Sequence, residues 1–430
     1  MTAIAVIGGG AAGLGAAREL LRAGCEVTLI ESAPRLGGNC VGLPVRGTDG
    51  REYAIDVGVS DFNRVTFREV GALIDELGLP TRPIQGDAHF ASPAGDTLWA
   101  CRDGRWTFRA PVTDPAGLLA EVEAFRTRAL EVLHDERFAT CTIGAYLDHL
   151  GASREFREAY LYPRAMGSFP MPDGAPKEHH ARSLVRFWNV HGIVAEEPGD
   201  RRCVVGGMHR YVAAFQRWFE GAGGELLCRT RLVGTRRAEN GVALFLRGER
   251  GSRWRRFDQV VLAAHPTQAL PQLTDAVPYE RRALTAFVAQ RARVVVHQDE
   301  ALMGSERELW GAYNYVVPRG PLPRVRPTIT FYPNRLASLP AEVPDTFVSM
   351  NPHVEPRAER VLASRTFVHP VGCVANERAA ARLDPLQGRR RTWFAGAYLK
   401  SPFVHESAFT TGLHVARRLL ASRVPKRRAS

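Results

Sequence analysis

The stretch AIAVIGGGAAGLGAARELLRAGCEVTLIE, residues 3–31, decides the fold. Ala3–Ile7 is an unbroken apolar run, the pattern of a parallel strand covered on both faces. Gly8-Gly9-Gly10-Ala11-Ala12-Gly13 follows and fits G-x-G-x-x-G. Apolar spacing then predicts a helix over 16–22, Gly24 stops it, and residues 25–30 read as a second strand. Glu31 closes that strand 18 residues after Gly13. Each part has a physical task in holding a dinucleotide. Gly8 permits the tight turn, Gly10 lets the backbone approach a pyrophosphate, and Gly13 lets helix and strand pack closely. Ala11 and Ala12, within the same turn, are expected cofactor-binding residues, the following helix favours phosphate charge at its N-terminus, and Glu31 stands ready to accept a hydrogen bond from a ribose hydroxyl.

The next segment narrows the nucleotide. Ser32-Ala33-Pro34-Arg35-Leu36-Gly37-Gly38 contains an Arg-x-Gly-Gly turn. It resembles the second phosphate-contacting segment of the flavoprotein superfamily of amine oxidases, phytoene desaturases and protoporphyrinogen oxidases. That resemblance implies bound FAD, held without a covalent link, with Ser32, Arg35, Gly37 and Gly38 against its diphosphate. Residues 203–211, with Gly206-Gly207-Met208, resemble the family's return into the FAD domain, and Val233 falls where relatives contact the adenine. Residues 387–397 read as a strand ending in glycine at Gly396. His405-Glu406 and Thr411-Gly412 then lead into a final helix over 413–420. In the superfamily this helix points its N-terminus at the flavin, which places Gly396, His405, Glu406 and Gly412 near the cofactor.

The chain as a whole is similar to a bacterial group of flavin-containing amine-oxidase-like proteins. The matches lie at 260–270, 310–315, 332–336, 349–353, 367–371 and 386–398. More distantly it resembles a polyunsaturated fatty acid double-bond isomerase, which shares the QGRR-x-T-x-x-AG stretch. One departure stands before His405, where relatives tend to carry a glycine–aromatic pair and this chain has Lys400-Ser401-Pro402-Phe403-Val404. The expected fold class is α/β: a Rossmann-type FAD-binding domain assembled from separated segments (1–65, 200–268 and 366–430). An α+β substrate domain is inserted as 66–199 and 269–365. Within these, the spacing predicts a helix over 66–78, antiparallel hairpins over 83–110, helices over 115–149 and 154–160, and two strands over 225–247.

Bulk properties limit the alternatives. Hydrophobic residues are 45% of the 430-residue chain and charged residues 24%, an ordinary globular composition. No apolar run reaches the roughly 18 residues of a membrane span and the N-terminus lacks a basic leader pattern, so a cytoplasmic location is expected. Seven cysteines form no C-x-x-C pair, and no metal site is expected. The net charge of +12 is spread along the chain and ends in a basic tail at 424–428. With no nucleic-acid-binding signature, nucleic acid is not an expected partner, whereas peripheral contact with an anionic membrane stays open. A second G-x-G-x-x-G after a strand is not found, so a dedicated NAD(P)H domain is not expected.

Candidate chemistry is thinner. His369, His405 and Tyr313 are the candidate catalytic residues, each with a structural alternative: a strand-end histidine, a turn-settling histidine, a core tyrosine. Trp310, Tyr313 and Tyr315 either wall a pocket or fill a core, and the same holds for Phe187, Trp188, Asn189 and His191. Arg164 or Arg186 is a candidate for holding a substrate carboxylate, and His179-His180 reads as a surface pair. Both resemblances imply a lipophilic small-molecule substrate. Four functions follow: an FAD-dependent dehydrogenase or desaturase acting by hydride transfer on an acyl, polyene or natural-product substrate; a redox-neutral double-bond isomerase; an amine oxidase; and a non-catalytic flavin-binding partner of a lipid-modifying system.

Overall fold

The computed structural model describes residues 1–109, 112–168, 175–194, 199–317 and 328–422. The basic tail at 424–428 lies outside them. The first motif folds as its spacing demands. Ala3–Ile7 is the central strand of a parallel sheet ordered Glu225–Leu227, Glu26–Ile30, Ala3–Ile7, Gln259–Leu262, Thr392–Phe394. All its pairings are parallel, and its strands come from three distant parts of the chain. Gly8 leaves the strand at φ +105°, and its N–H donates to the Ile30 carbonyl at 2.8 Å. A Cβ there would stand 2.8 Å from the Ala263 carbonyl oxygen, so only glycine serves.

The first helix runs over Ala11–Arg22, starting earlier than its apolar spacing suggests. Gly13 and Gly15 hide the start, since each lowers helix propensity by about 1 kcal/mol relative to alanine. Packing decides otherwise. A Cβ on Gly13 would run into the Gly8 carbonyl oxygen, and one on Gly15 into the carbonyl of Phe409. The last helix, His405–Ala421, likewise starts before the expected 413. It crosses the first helix at small residues, because a Cβ on Gly412 would strike the Ala12 carbonyl oxygen. Glycine is therefore used on both helices to bring their backbones together.

Residues 225–247 carry three strands, not the expected two. Arg229 adopts φ +49° and kinks the chain. Glu225–Leu227 therefore joins the edge of the parallel sheet, while Arg231–Ala238, Gly241–Gly248 and Gly251–Phe257 form an antiparallel sheet of their own. The helix expected over 66–78 is Arg68–Glu76, with Gly78 at φ +67° beyond it. Phe67, Val70, Leu73 and Ile74 pack in the same core as the first and last helices.

A second body is built on an eight-stranded mixed sheet. Its order is Val361–Pro370, Ala289–His297, Phe347–Met350, Thr328–Phe331, Tyr313–Val316, Ala88–Ala91, Thr97–Arg102, Arg105–Phe108. Tyr313–Val316 pairs with Ala88–Ala91 in parallel, and the other pairs are antiparallel. Helices Pro115–Arg128, Ile143–Leu150 and Ala181–Val190 share one core with the Phe90 and Trp99 edge of this sheet. His179 and His180, expected at the surface, are both buried. The chain enters the helix Ala181–Val190 there, and His180 bridges inward, Nδ1 to the Ser183 hydroxyl (2.8 Å) and Nε2 to the Ala139 carbonyl (2.9 Å).

Candidate functional site

The two bodies enclose one cavity of about 1140 Å³. That exceeds the roughly 300–1,000 Å³ of a single small-molecule site and suits a cofactor with a substrate beside it. Gly8, Gly10, Ala11, Ala12, Glu31, Ser32, Gly37, Gly38, Val233, Gly396 and His405 all line it.

The dinucleotide cradle passes a steric test. Gly10 is the N-cap of the first helix at φ −77°, and no side chain caps that helix end. A Cβ on Gly10 would meet nothing closer than 3.8 Å. The space over Gly10 is thus cavity, with the helix N-terminus and its positive dipole end opening on it, which fits a diphosphate. The Gly37–Gly38 turn is tied to this loop: the Gly37 N–H donates to the Gly9 carbonyl at 2.8 Å. Glu31 does more than await a ribose. Its Oε2 accepts the Gly9 N–H (2.7 Å) and its Oε1 accepts the Ala33 N–H (2.7 Å) and the Ser32 hydroxyl (3.1 Å). A carboxylate offers about four acceptor sites, so capacity for a ribose hydroxyl remains.

Four expected cofactor residues stand off the lining. Arg35 is exposed, since Leu36 buries beneath Gly9 and turns its neighbour outward. Gly13 and Gly412 serve the backbone contacts described above. The Glu406 carboxylate accepts the N–H groups of Glu69 and Val70, each at 2.9 Å, and so caps the helix Arg68–Glu76, whose own N-cap Phe67 has no polar side chain. Both Glu406 oxygens are thus engaged at a helix end. His405 instead places Nε2 at 2.6 Å from the Tyr211 hydroxyl. Burial pushes its pKa down to about 4, so it faces the cavity as a neutral imidazole.

Of the other catalytic candidates, His369 and Tyr313 both line the cavity. Burial, with a smaller push from nearby His265, holds His369 down to about 3. Tyr313 is tied to Arg201, whose Nη2 donates to the phenol oxygen and also to Asp61 Oδ2 at 2.7 Å. With its oxygen accepting from Arg201 and burial raising its pKa, Tyr313 keeps its proton and can donate it in a hydrogen bond. The aromatic groups divide. Tyr315 and Phe187 line the cavity with His191, whereas Trp310 packs in a core with Phe347 and Trp188 in a core with Phe125. Arg164 lines the cavity, while Arg186 pairs with Glu377. Sequence reading missed the Asp61–Arg201 pair, because 140 residues separate its members.

The imidazoles carry a pH prediction. His191 and His405 are held near 4 and His369 near 3 by burial. A folded-state pKa below the unfolded value of about 6.5 means that the unfolded chain binds more protons in between, so stability present above pH 6.5 is lost as pH falls toward 4. Each such histidine contributes a slope of up to about 1.4 kcal/mol per pH unit in that window. Calorimetric melting at pH 7, 6 and 5 is expected to show a falling midpoint, and a flat profile would contradict the burial of these rings.

The sequence profile described as "Flavin containing amine oxidoreductase" matches residues 11–332. A lysine-specific histone demethylase 1 homolog from Arabidopsis thaliana is 34% identical over 102 residues, 24% of this chain and 12% of that protein. A carotenoid phi-ring synthase from Streptomyces griseus is 42% identical over 83 residues, 19% of this chain and 16% of that protein. The matched segments thus span well under a quarter of these relatives' lengths. Among solved structures, a CLA-producing fatty acid isomerase from P. acnes superposes with a TM-score of 0.68 at 16% identity, covering 98% of this chain and 99% of that one. Among the described residues no helix is long and apolar enough to cross a membrane. The chain belongs to the family of flavin-containing amine oxidoreductases.

Proposed function

We propose that this enzyme is a dehydrogenase or desaturase of a lipophilic acyl, polyene or natural-product substrate, using FAD held non-covalently. The observation that carries this reading is the wall of the cavity away from the glycine loops. Phe187, Ile193, Tyr315, Ile329, Phe331 and Val348 line it, continuous with the dinucleotide cradle. Apolar burial worth roughly 25 cal/mol per Å² then supplies most of the substrate's binding energy. Three carboxylates lie on the lining: Glu31 accepts backbone N–H groups, Asp56 accepts the Met208 N–H at 2.8 Å through Oδ2 and has His209 Nδ1 3.7 Å from its Oδ1, and Asp61 pairs with Arg201. That leaves little to attract a cationic amine.

FAD, when bound, supplies a hydride acceptor for carbon next to a double bond or a heteroatom. The protein's part is orientation, exclusion of water and electrostatics. The last helix opens on the cavity at Val404 and His405 without a side-chain cap, so its N-terminal dipole favours negative charge there. Tyr313, steadied by Arg201, offers a hydrogen-bond donor to a substrate oxygen.

Anaerobic mixing of the yellow protein with linoleate, a carotenoid precursor and putrescine tests the reading. Flavin bleaching by an apolar substrate is expected, at a rate at least ten times that with putrescine. Conversion of linoleate to a conjugated isomer with no acceptor consumed would replace desaturation by isomerisation. Bleaching by the amine alone would overturn the proposal.

A further inference from the structure

The cavity's charges do not balance, and this points to the substrate's polar end. Five arginines line it: Arg82, Arg164, Arg201, Arg231 and Arg365. Arg231 and Arg365 are exposed, and Arg201 is neutralised by Asp61. Arg82 and Arg164 differ from these. Both are partly buried, and in each the Nε is buried without a hydrogen-bond partner. Arg164 lies over the Tyr160 ring, 5.5 Å from its centroid, and reaches the Tyr160 hydroxyl at 3.3 Å. Arg82 has the Cys203 thiol beside it. Among the described residues neither guanidinium has a carboxylate partner. A partly buried guanidinium whose Nε is shut off from water and unpartnered is one that a bound anion would complete.

Different elements carry them to the cavity. Arg164 sits in the helix Tyr162–Gly167, and a Cβ on Gly167 would run into the Tyr315 ring. Arg82 sits on Thr81–Pro83, paired with Cys203, two residues from Arg201 and on the same strand face. Arg201 reaches Tyr313, on the same strand as Tyr315. Arg82, Arg201, Tyr313, Tyr315 and Arg164 thus all present donors to the same cavity as the apolar wall.

We propose that the substrate is a lipophilic carboxylic acid whose carboxylate is held by Arg82 or Arg164, the two lining arginines whose Nε lacks a partner. The assignment rests on the lipophilic-substrate reading above. Guanidinium and carboxylate pair through two parallel N–H···O bonds, a geometry that a lysine or a neutral headgroup does not reproduce. The chain of the acid then lies along Tyr315, Ile329 and Phe331.

Calorimetric titration of the FAD-loaded protein with dodecanoate, methyl dodecanoate and dodecyl phosphate tests this, under anaerobic conditions. The acid is expected to bind at least about tenfold tighter than the ester. Arg82→Gln or Arg164→Gln is expected to remove that preference by tenfold or more, leaving the ester's affinity and the flavin content unchanged. Flavin content reports folding, so if one variant fails to fold the other still decides. Equal binding of acid and ester, or an unchanged preference in both variants, would overturn the arginine assignment while leaving the lipophilic reading intact. Tighter binding of dodecyl phosphate than of the acid would overturn the carboxylate. If neither acid nor ester binds, the lipophilic reading falls and this assignment with it.

Discussion

Gly10→Val is expected to yield a folded, colourless protein. A Cβ at Gly10 meets nothing closer than the Gly38 Cα at 3.8 Å, and φ −77° is open to any residue, so the backbone and Cβ of the substitution are accommodated. The added isopropyl group projects instead into the space where the helix N-terminus meets the diphosphate. Affinity for FAD should drop by about 100-fold or more, roughly 3 kcal/mol, because the phosphate can no longer reach the backbone N–H groups. The helix itself loses under about 1 kcal/mol, the difference between glycine and an apolar residue at an N-cap. Gly13→Ala provides the contrast, since its Cβ runs into the Gly8 carbonyl oxygen and should impair folding itself. Flavin absorbance and FAD titration of the refolded apoprotein measure the first effect, circular dichroism the second. Normal flavin content in Gly10→Val would refute the cradle.

The second large effect is expected at Gly412→Ala, in stability. Helix propensity alone would favour alanine by about 1 kcal/mol. Against this, a Cβ at Gly412 would strike the Ala12 carbonyl oxygen and stand 2.8 Å from the Ala16 amide nitrogen, both backbone atoms that no rotamer change can move. Overpacking typically costs 1–3 kcal/mol and more where backbones must separate, so a net loss of about 2 kcal/mol is expected. Urea unfolding measures it. A variant as stable as the parent would show that the first and last helices do not depend on this close approach. The same displacement would shift His405 at the cavity, so a milder loss of flavin should accompany the loss of stability.

These two glycines show where reading a sequence succeeds and where it stops. Both were expected at the cofactor. Gly10 belongs to a motif whose parts are neighbours in the chain, so turn, helix start and strand end constrain one another. Gly412 was placed by resemblance to a family segment, and its role depends on a helix about 400 residues earlier. Glu406 is a similar case. The resemblance placed it near the cofactor, but its partners are the N–H groups of Glu69 and Val70. The family label was legible for the first reason: its phosphate-contacting turns are short and local.

The sequence by itself determined the strand–glycine turn–helix–strand unit ending at Glu31, the α/β class, and the flavin family to which the chain belongs. Apolar periodicity and glycine spacing act over a few residues, and no distant contact was needed to read them. Only the tertiary structure decided which side chains face the cavity. It sent Trp310 and Trp188 into cores while leaving Tyr313 and Phe187 on the lining. It joined Asp61 to Arg201, and among the described residues it left the Nε of Arg82 and of Arg164 buried without a partner. A residue's face on its own strand or helix follows from local period. What lies opposite that face is set by the packing of elements far apart in the chain, and that packing sorted these residues into cofactor cradle, substrate wall and core.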